Sequence, residues 1–297
     1  MTYNYLNRCP VCKTESFTNL KGFEVLYLCK CEVCNFVFDK RIPSKNELDE
    51  HYKVYAYSAI KTISKETIKS YNKLLDEFEK YRTTGNILDI GCGQGDFLVE
   101  AKKRHWNVYG TEYSQSAVEL CTSRAIQMSK GDLDKDIFPE VCFDVITSFE
   151  VIEHINTPHE MMNVVDNKLK IGGLFYCTTP NFNALLRYFE KDNFRMIVYP
   201  EHISFYTKNS LKFLGVKYNF KVLKVLTTGI DIGRLIRAIK SKKEVVNVEN
   251  IQEMKSTNEN IRNLAGSNRL MGMIKGIINF FLTLFSKGDT LKIYWIK

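Results

Sequence analysis

The chain has 297 residues, of which 44% are hydrophobic, and a formal net charge of +8 at pH 7. This length is enough for one large domain and a small one, and the composition suits a globular protein with a sizeable core. The first residues are polar and no run of about 18 apolar residues occurs, so we expect neither a signal peptide nor a membrane-spanning helix. The nine cysteines then indicate metal binding and buried thiols in a reducing, cytoplasmic compartment.

Two Cys-x-x-Cys pairs lie near the N-terminus, Cys9 with Cys12 and Cys31 with Cys34. This is the spacing of a zinc ribbon, in which four thiolates complete the tetrahedral coordination of Zn²⁺ and leave no open position. The pattern therefore predicts a structural zinc site in a small ribbon over residues 1–42. Disulfides are the alternative, which a reducing compartment disfavours. Cys29 is a fifth candidate that a change of register would bring into the ligand set.

Residues 43–84 are predicted to form a helical linker or cap between the ribbon and the main domain. Apolar side chains recur mostly at three- and four-residue steps over residues 58–82, which is the period of a helix. We expect this helix to cover a ligand pocket or to pack beside the sheet of the third segment, residues 85–297.

The main domain opens with a buried strand and a glycine-rich turn, and residues 86–98 read Asn-Ile-Leu-Asp-Ile-Gly-Cys-Gly-Gln-Gly-Asp-Phe-Leu. Gly91, Gly93 and Gly95 permit a sharp turn and the close approach of a ligand to the main chain. The helix that follows offers free N–H groups, so the stretch indicates a nucleotide-like ligand at the carboxyl end of the first strand. The spacing differs from the dinucleotide fingerprint, because Asp96 stands where that pattern has its third glycine.

Strands and helices alternate beyond this turn, which predicts a doubly wound α/β domain. Glu112 follows the second strand, where a carboxylate can accept hydrogen bonds from ribose hydroxyls. Asp132 follows the third strand, where it can accept a hydrogen bond from an adenine amino group, although Gly-Asp is also common in turns. The fourth strand, residues 143–148, leads into Phe-Glu-Val-Ile-Glu-His at residues 149–154. A helix over residues 158–170 is predicted to end at Gly172–Gly173, and residues 174–179 are predicted to form the fifth strand.

These segments follow the order seen in class I S-adenosylmethionine (SAM) dependent methyltransferases, and the chain resembles that family from Cys9 to about Thr227. It is most similar to the branch that acts on small molecules, sugars and quinone precursors, and its cysteine pairs resemble those of zinc-bearing members in glycan and antibiotic-sugar pathways. The resemblance implies a Rossmann-like seven-stranded sheet and SAM as cofactor. It also implies cofactor-binding residues at the glycine turn and at the ends of the next strands: Asp89, Gly91, Gly93, Gly95, Glu112, Asp132, Leu133 and Phe149.

Two histidines are the candidate catalytic bases, since histidine titrates near neutral pH. His154 and His202 each follow a glutamate, Glu153 or Glu201, that is placed to orient an imidazole. They predict O-methylation with a histidine general base. Some related O-methyltransferases hold Mg²⁺ with a Glu-x-x-Glu-His group and a distant histidine. A magnesium site built from Glu150, Glu153, His154 and His202 is therefore the alternative.

We expect the acceptor to be a small molecule, a sugar or a glycan- or lipid-linked compound. From another class of function, a zinc-ribbon binding module on a non-catalytic Rossmann-like domain is the alternative. The ribbon lacks a dense Lys/Arg cluster between its cysteine pairs, so no specific nucleic acid is expected as a partner.

The C-terminal part carries much of the positive charge, with twelve Lys/Arg against six Asp/Glu in residues 231–297. Residues 290–296 alternate as a strand and resemble the antiparallel last strand of the family sheet, which makes residues 229–288 an insertion. Within it, residues 269–287 are strongly apolar and include Arg269, Lys275 and Lys287. This pattern predicts a helix that touches an anionic membrane surface, at the inner face of the membrane; packing on the sheet or on a second subunit is the alternative.

Overall fold

The computed structural model describes residues 3–44, 46–48, 50, 62–131, 137–240 and 269–297. Its N-terminal part contains a 3-10 turn at Glu24–Leu26 and five short strands: β1 (Asn4–Tyr5), β2 (Phe17–Asn19), β3 (Leu28–Cys31), β4 (Val37–Asp39) and β5 (Arg41–Ile42). β2, β3 and β4 form an antiparallel sheet, and β1 pairs with β5. The first cysteine pair lies between β1 and β2, and the second lies at the turn from β3 to β4.

The remaining strands of the described residues are β6 (Asn86–Ile90), β7 (Asn107–Glu112), β8 (Gln127–Lys130), β9 (Phe143–Phe149), β10 (Leu169–Pro180), β11 (Ser204–Phe205), β12 (Lys221–Thr228) and β13 (Thr290–Ile296). All of these except β11 form a seven-stranded sheet in the order β12-β13-β10-β9-β6-β7-β8. β13 is antiparallel to both of its neighbours, whereas the pairs from β10 to β8 are parallel. The predicted Rossmann-like sheet with an antiparallel last strand is confirmed.

Within the described residues, positions 46–48 are helical, and the longer helices are α1 (Lys65–Phe78), α2 (Asp96–Lys103), α3 (Gln115–Ser123), α4 (Pro158–Lys168), α5 (Leu185–Glu190), α6 (Lys208–Val216), α7 (Ile232–Lys240) and α8 (Arg269–Leu284). Further 3-10 turns occupy Glu79–Tyr81, Ile152–His154 and Lys191–Asn193. Among the described residues, no helix combines the length and the apolar character needed to cross a membrane.

The predicted helix over residues 58–82 is shorter in the structure, and residues 58–61 lie outside the described residues. α1 begins at Lys65 because Ser64 caps it: the Ser64 Oγ accepts a hydrogen bond of 3.1 Å from the Thr67 backbone N–H. Leu75 and Phe78 of α1 are fully buried. α1 therefore packs beside the sheet, which is one of the two arrangements expected for it.

The fifth parallel strand also differs from its prediction, since β10 begins at Leu169 instead of Leu174. Leu169 pairs with Phe143 and Leu174 pairs with Val145, with an irregularity between the two pairs. The Gly172–Gly173 step, which the sequence suggested as a loop after a helix, is therefore a distortion within one strand. α4 correspondingly ends at Lys168.

β6, β7, β8, β9 and β10 all end on the same side of the sheet, which we call the carboxyl edge. At this edge Thr290 pairs with both Pro180 and Thr228. The predicted insertion between β12 and β13 thus leaves the sheet and returns to it at the carboxyl edge. Ligands bind beyond the carboxyl ends of the strands in open α/β sheets, so the insertion begins and ends on the ligand side.

The N-terminal sheet and the seven-stranded sheet share one hydrophobic core. Cys9, Phe36 and Phe38 pack with Tyr206 and Trp295, and all five side chains are fully buried. The imidazole of His159 adds a polar link, because its Nε2 donates to the Val11 carbonyl oxygen at 2.7 Å.

Candidate active site and cysteine cluster

The glycine turn between β6 and α2 has backbone angles and close contacts that leave no room for larger side chains. Gly91, Gly93 and Gly95 have φ angles of +65°, +55° and +75°, in the left-handed region. A Cβ at Gly91 would lie 2.6 Å from a methyl carbon of Val151, and one at Gly95 would lie 2.8 Å from the Cys121 sulfur. The turn is therefore closely packed against the loop after β9 and against α3, and it leads directly into the N-terminus of α2, where helical N–H groups have no partner within the helix.

Glu112 ends β7 beside this turn, as its assignment as a ribose ligand requires. One carboxylate oxygen accepts the Gly93 N–H at 2.9 Å, and the other accepts the N–H groups of Tyr113 at 2.8 Å and Ser114 at 3.1 Å. A carboxylate offers about four lone-pair sites. Glu112 can therefore hold the glycine turn in place and still accept a hydrogen bond from a ligand hydroxyl.

Asp89 lies one position before the end of β6 and is buried. Its Oδ1 accepts a hydrogen bond of 2.7 Å from the Thr147 hydroxyl on the adjacent strand β9. Burial, with a smaller contribution from the charge of Glu112, raises the pKa of the Asp89 carboxyl to about 8. Asp89 is therefore largely protonated near neutral pH.

Phe149 ends β9, and its ring joins an aromatic group between α1 and the sheet. The ring centroids of Phe97, Tyr176 and Tyr71 lie 5.0, 5.6 and 6.0 Å from that of Phe149. Phe149 is half-buried, so part of its ring remains accessible at the carboxyl edge.

The predicted adenine-binding residues Asp132 and Leu133 lie outside the described residues. Gly131 precedes them and donates its N–H to the Glu112 carbonyl oxygen at 3.1 Å. The chain thus enters this segment next to the ribose candidate.

The two candidate bases lie together at the carboxyl edge. The rings of His154 and His202 have centroids 4.9 Å apart. Each Nδ1 faces a backbone carbonyl oxygen at 2.8 Å, that of Glu201 for His154 and that of Met196 for His202. Since a carbonyl oxygen only accepts, Nδ1 carries the proton in the neutral ring and Nε2 carries the lone pair. We expected the carboxylates of Glu153 and Glu201 to orient these rings, and at Nδ1 this role falls to backbone carbonyl oxygens.

Burial lowers the pKa of His154 to about 4, and a positive charge on His202 would act in the same direction. The His154 imidazole is therefore neutral near pH 7, with its Nε2 able to accept a proton or bind a metal ion.

Glu153 completes a three-residue cluster with the histidines. It is 2% exposed; its Oε2 accepts from the Thr179 hydroxyl at 2.9 Å, and its Oε1 has no hydrogen-bond partner among the described residues. Ligand atoms of Glu153, His154 and His202 all lie within 4.8 Å of one another. Glu150, the fourth residue of the predicted magnesium set, is exposed and does not join this group.

The four predicted zinc ligands are brought together. The Cys9 and Cys34 sulfurs are 3.6 Å apart, those of Cys12 and Cys31 are 3.3 Å apart, and all four lie within 4.8 Å of one another. Tetrahedral Zn²⁺ with bonds of about 2.3 Å places its sulfur ligands about 3.8 Å apart. These distances are too long for disulfide bonds, and the cluster fits a zinc ion.

The two cysteine turns have the same backbone structure. Lys13 and Asn35 each follow a second cysteine, adopt φ angles of +65° and +57°, and donate N–H groups to the carbonyl oxygens of Cys9 and Cys31. The Cys34 N–H also points to the Cys31 sulfur at 3.4 Å. An N–H group that donates to sulfur stabilises a thiolate, as a metal site needs.

Cys29 is not part of the cluster, which settles the choice of register. Its thiol points to the Asn19 side-chain oxygen at 3.6 Å, and Cys29 is absent from the group of four sulfurs.

Strand β11, which sequence reasoning missed, connects the cysteine cluster to the histidine pair. It pairs with β4, and next to it the Asp39 N–H donates to the Ile203 carbonyl oxygen at 2.9 Å. The Ile203 N–H in turn donates to the Glu153 carbonyl oxygen at 3.0 Å. The Ser204 hydroxyl donates to the Ile155 carbonyl oxygen at 2.7 Å. The segment carrying His202 is thus held between the N-terminal sheet and the loop that carries His154. The only signal in the sequence was a short Ile-Ser-Phe-Tyr stretch.

Comparison with known proteins supports the cofactor class. The sequence profile of a family described as a methyltransferase domain matches residues 62–225, more than half of the chain. A ubiquinone biosynthesis O-methyltransferase of Coxiella burnetii is 30% identical over 105 residues, which cover 33% of this chain and 44% of the relative. The corresponding enzyme of Leptothrix cholodnii is 24% identical over 105 residues, covering 33% and 45%. The chain thus spans less than half the length of these curated relatives.

Solved structures show the same fold. A phosphoethanolamine N-methyltransferase 2 of Haemonchus contortus in complex with SAM matches with a TM-score of 0.53 and 17% identity, over 88% of this chain and 62% of that one. A SAM-dependent methyltransferase of Archaeoglobus fulgidus matches with a TM-score of 0.50 and 16% identity, over 83% and 100%. The family match identifies the chain as a member of the methyltransferase domain family, and the strand order and the solved structures show that it has the fold of class I SAM-dependent methyltransferases.

Proposed function

We propose that this methyltransferase transfers the methyl group of SAM to a hydroxyl of a small molecule, a sugar or a glycan- or lipid-linked acceptor. The observation that carries the proposal is the pair His154 and His202, whose Nδ1 atoms are held by backbone carbonyls so that each Nε2 is left as a base. The ubiquinone biosynthesis O-methyltransferases among the relatives support transfer to oxygen.

The cofactor is held by the glycine turn and the ends of the next strands. Gly91, Gly93 and Gly95 allow the methionine and ribose portion of SAM to approach the main chain. Glu112 accepts hydrogen bonds from the ribose hydroxyls, and Asp132 with Leu133 contacts the adenine. Asp89 and Phe149, near the ends of β6 and β9, are the further cofactor-binding residues in this proposal.

Methyl transfer is an in-line displacement at carbon. The acceptor oxygen attacks the methyl carbon of the sulfonium, the C–S bond breaks as the C–O bond forms, and S-adenosylhomocysteine leaves. The hydroxyl proton passes to the Nε2 of a histidine. A positioned base of this kind contributes about 10²–10⁴-fold to the rate.

A metal-assisted O-methyltransferase is the second candidate, and one observation favours it. The buried Oε1 of Glu153 has no partner in the described part of the chain, and it lies in a cluster with His154 and His202. One carboxylate and two imidazoles suit a first-row transition metal ion better than Mg²⁺, which prefers oxygen ligands. Such an ion would lower the pKa of an acceptor hydroxyl.

We also propose a structural zinc ion at Cys9, Cys12, Cys31 and Cys34. The sulfur distances and the paired turn geometry fit four-thiolate coordination with no open position. Zinc would hold together a segment whose own strands are only two to four residues long.

The function is tested by incubating the purified protein with SAM labelled in the methyl group and with matched pairs of acceptors. Each pair contains one compound with a free hydroxyl and the same compound with that hydroxyl already methylated. We expect label only in the free-hydroxyl member, as an ether. Label recovered in amines alone would contradict O-methylation.

A chelation experiment distinguishes the histidine-base mechanism from the metal-assisted mechanism. EDTA treatment followed by Mn²⁺, Zn²⁺ or Mg²⁺ should leave turnover unchanged if a histidine acts as the base. Loss of turnover that Mn²⁺ or Zn²⁺ restores favours the metal version. Zinc content is measured in the same samples, so that loss from the cysteine cluster is recognised.

A further inference from the structure

Helix α8 has its polar and apolar sides reversed. A helix on the surface of a globular protein normally turns its apolar side to the core. In α8, the Asn279 side-chain oxygen accepts the Gly229 N–H at 2.9 Å. The Thr283 hydroxyl donates to the Thr227 carbonyl oxygen at 2.9 Å and accepts its N–H at 3.2 Å. The polar side chains therefore attach this helix to the end of β12.

Eight apolar side chains from Met273 to Phe285, the residue after α8, are exposed, whereas Leu282 is buried against the protein. The exposed fractions of these eight are 38–67%, and the six most exposed are Met273, Ile277, Phe280, Phe281, Leu284 and Phe285. They recur at three- and four-residue steps, so they form one continuous surface, which we call the apolar face. Soluble monomers rarely expose an apolar patch larger than a few hundred Å².

The apolar face lies on the ligand side of the sheet. The Asn181 side-chain amide donates to the carbonyl oxygens of Gly288 at 2.7 Å and Ser286 at 3.1 Å, which follow α8. Asn181 comes two positions after Thr179, whose hydroxyl contacts Glu153 in the three-residue cluster. The end of α8 is therefore tied to the strand that supports the candidate active site.

Positive charge and a tyrosine border the apolar face. Lys275 is exposed within α8 itself. Beyond the helix end, the Lys287 ammonium donates to the Tyr188 hydroxyl at 2.9 Å and lies 4.0 Å from the ring centroid of Tyr188, which is 47% exposed. Lysine beside tyrosine at the rim of an apolar surface is the combination found at membrane interfaces. The charges of Lys275 and Lys287 complement anionic headgroups.

We propose that α8 lies in the headgroup region of an anionic membrane, with its apolar face toward the acyl chains, and so presents the carboxyl edge to a lipid-linked acceptor. No helix in the described ranges is suited to cross a membrane, so contact is parallel to the surface. The choice of a lipid-linked acceptor rests on the proposed function, whereas the membrane contact stands on α8 alone.

The test is flotation of the full-length protein with vesicles of phosphatidylcholine alone or with phosphatidylglycerol added, at low and high salt. We expect retention on the anionic vesicles at low salt. The double variant Phe281→Ser/Phe285→Ser should bind at least about tenfold more weakly, because two aromatic side chains no longer enter the lipid. Lys275→Glu should weaken binding to the anionic vesicles alone.

Ile171→Ser is the matched control, because Ile171 is 85% exposed but lies at the opposite end of β10. It should bind vesicles like the wild type. SAM affinity and thermal unfolding should be unchanged in all variants, which separates a failure of the membrane contact from a failure of the proposed function. No retention of the wild type at low salt would overturn the proposal. So would a dimer in sedimentation that the double variant dissociates, because the apolar face would then join two copies.

Discussion

His154 and His202 lie in ring-to-ring contact, with centroids 4.9 Å apart, although they belong to loops on different strands. The contact is fixed by the backbone: the residue after His202, Ile203, donates its N–H to the carbonyl oxygen of Glu153, the residue before His154. The pair is therefore a product of main-chain pairing between two loops, so changing either ring leaves this pairing in place.

This arrangement predicts that His154→Ala and His202→Ala lower kcat by about 10²–10⁴-fold while the Kd for SAM stays within about twofold. The reason is that a base acts in the transition state and the glycine turn holds the cofactor. His105→Asn is the control, since His105 is exposed on left-handed backbone, where asparagine is tolerated. Calorimetry and single-turnover rates check both quantities, and unchanged kcat in both alanine variants would remove the histidines from the mechanism.

A second prediction concerns the glycine turn. Gly91→Ala should weaken SAM binding by about tenfold or more, because the new methyl group meets Val151 at 2.6 Å and displaces the main chain that the cofactor contacts. Gly172→Ala is matched to it: Gly172 also has a positive φ, +78°, but a Cβ there meets no atom within 4 Å. Equal SAM affinities for the two variants, measured by calorimetry, would contradict the assignment of the turn.

A third prediction concerns the cysteine cluster. Elemental analysis should find about one zinc per chain, and Cys12→Ser should lose it. Because β4 supports the segment that carries His202, this variant should also lose turnover while keeping most of its SAM affinity. Cys29→Ser is the control: Cys29 is buried in the same sheet but lies outside the cluster, so its zinc content should be unchanged. A Cys12→Ser protein with full zinc content would refute the site.

The fourth prediction is a pH dependence of stability that comes from Asp89. Its pKa is about 8 in the folded protein and about 4 when unfolded. Between these values the folded state keeps a proton that the unfolded state has released, so stability from this group is complete below about pH 4 and is lost as the pH rises toward 8. Asp89→Asn should therefore raise Tm, relative to wild type, more at pH 8 than at pH 5.

This comparison is made without SAM, by thermal unfolding. The Thr147 hydroxyl can still donate to the amide oxygen, so the variant keeps its local hydrogen bond. Asp192→Asn, at an exposed carboxylate, should shift Tm equally at both pH values. An equal shift for Asp89→Asn as well would show that the buried carboxyl does not titrate in this range.

Much of the fold could be predicted from the sequence because local patterns carried it. Three local patterns each indicate a single element. The apolar run that ends at Ile90 indicates a strand, the three glycines indicate a turn, and the alternation over residues 290–296 indicates another strand. The four candidate zinc ligands were predicted from spacing alone, and the structure brings these cysteines together. Among the candidate site residues, Glu112 and His154 could be placed at the carboxyl edge because Glu112 ends β7 and His154 follows β9.

The features that were missed depend on contacts between distant parts of the chain. The groups that hold the histidine rings are carbonyl oxygens of Glu201 and Met196, and every residue has such an oxygen, so no residue type marks them. The start of β10 depends on pairing of Leu169 with Phe143. The orientation of α8 also depends on distant contacts. Its apolar residues were visible in the sequence, but the hydrogen bonds of Asn279 with Gly229 and of Thr283 with Thr227 show which side faces the protein.

The pairing of β4 with β11 also has a consequence for how the chain reaches its native state. Val37 and Phe205 come from opposite halves of the sequence, so the N-terminal sheet gains its fourth strand only after most of the protein has been synthesised. During translation β4 remains an edge strand with unpaired backbone groups and with Phe36 and Phe38 lacking their partner Tyr206. Zinc binding by the cysteine pairs soon after their synthesis would stabilise this segment until β11 is available to pair with β4. We therefore expect cells deprived of zinc to produce less folded protein, because more of it aggregates. The molecules that do fold should keep their specific activity.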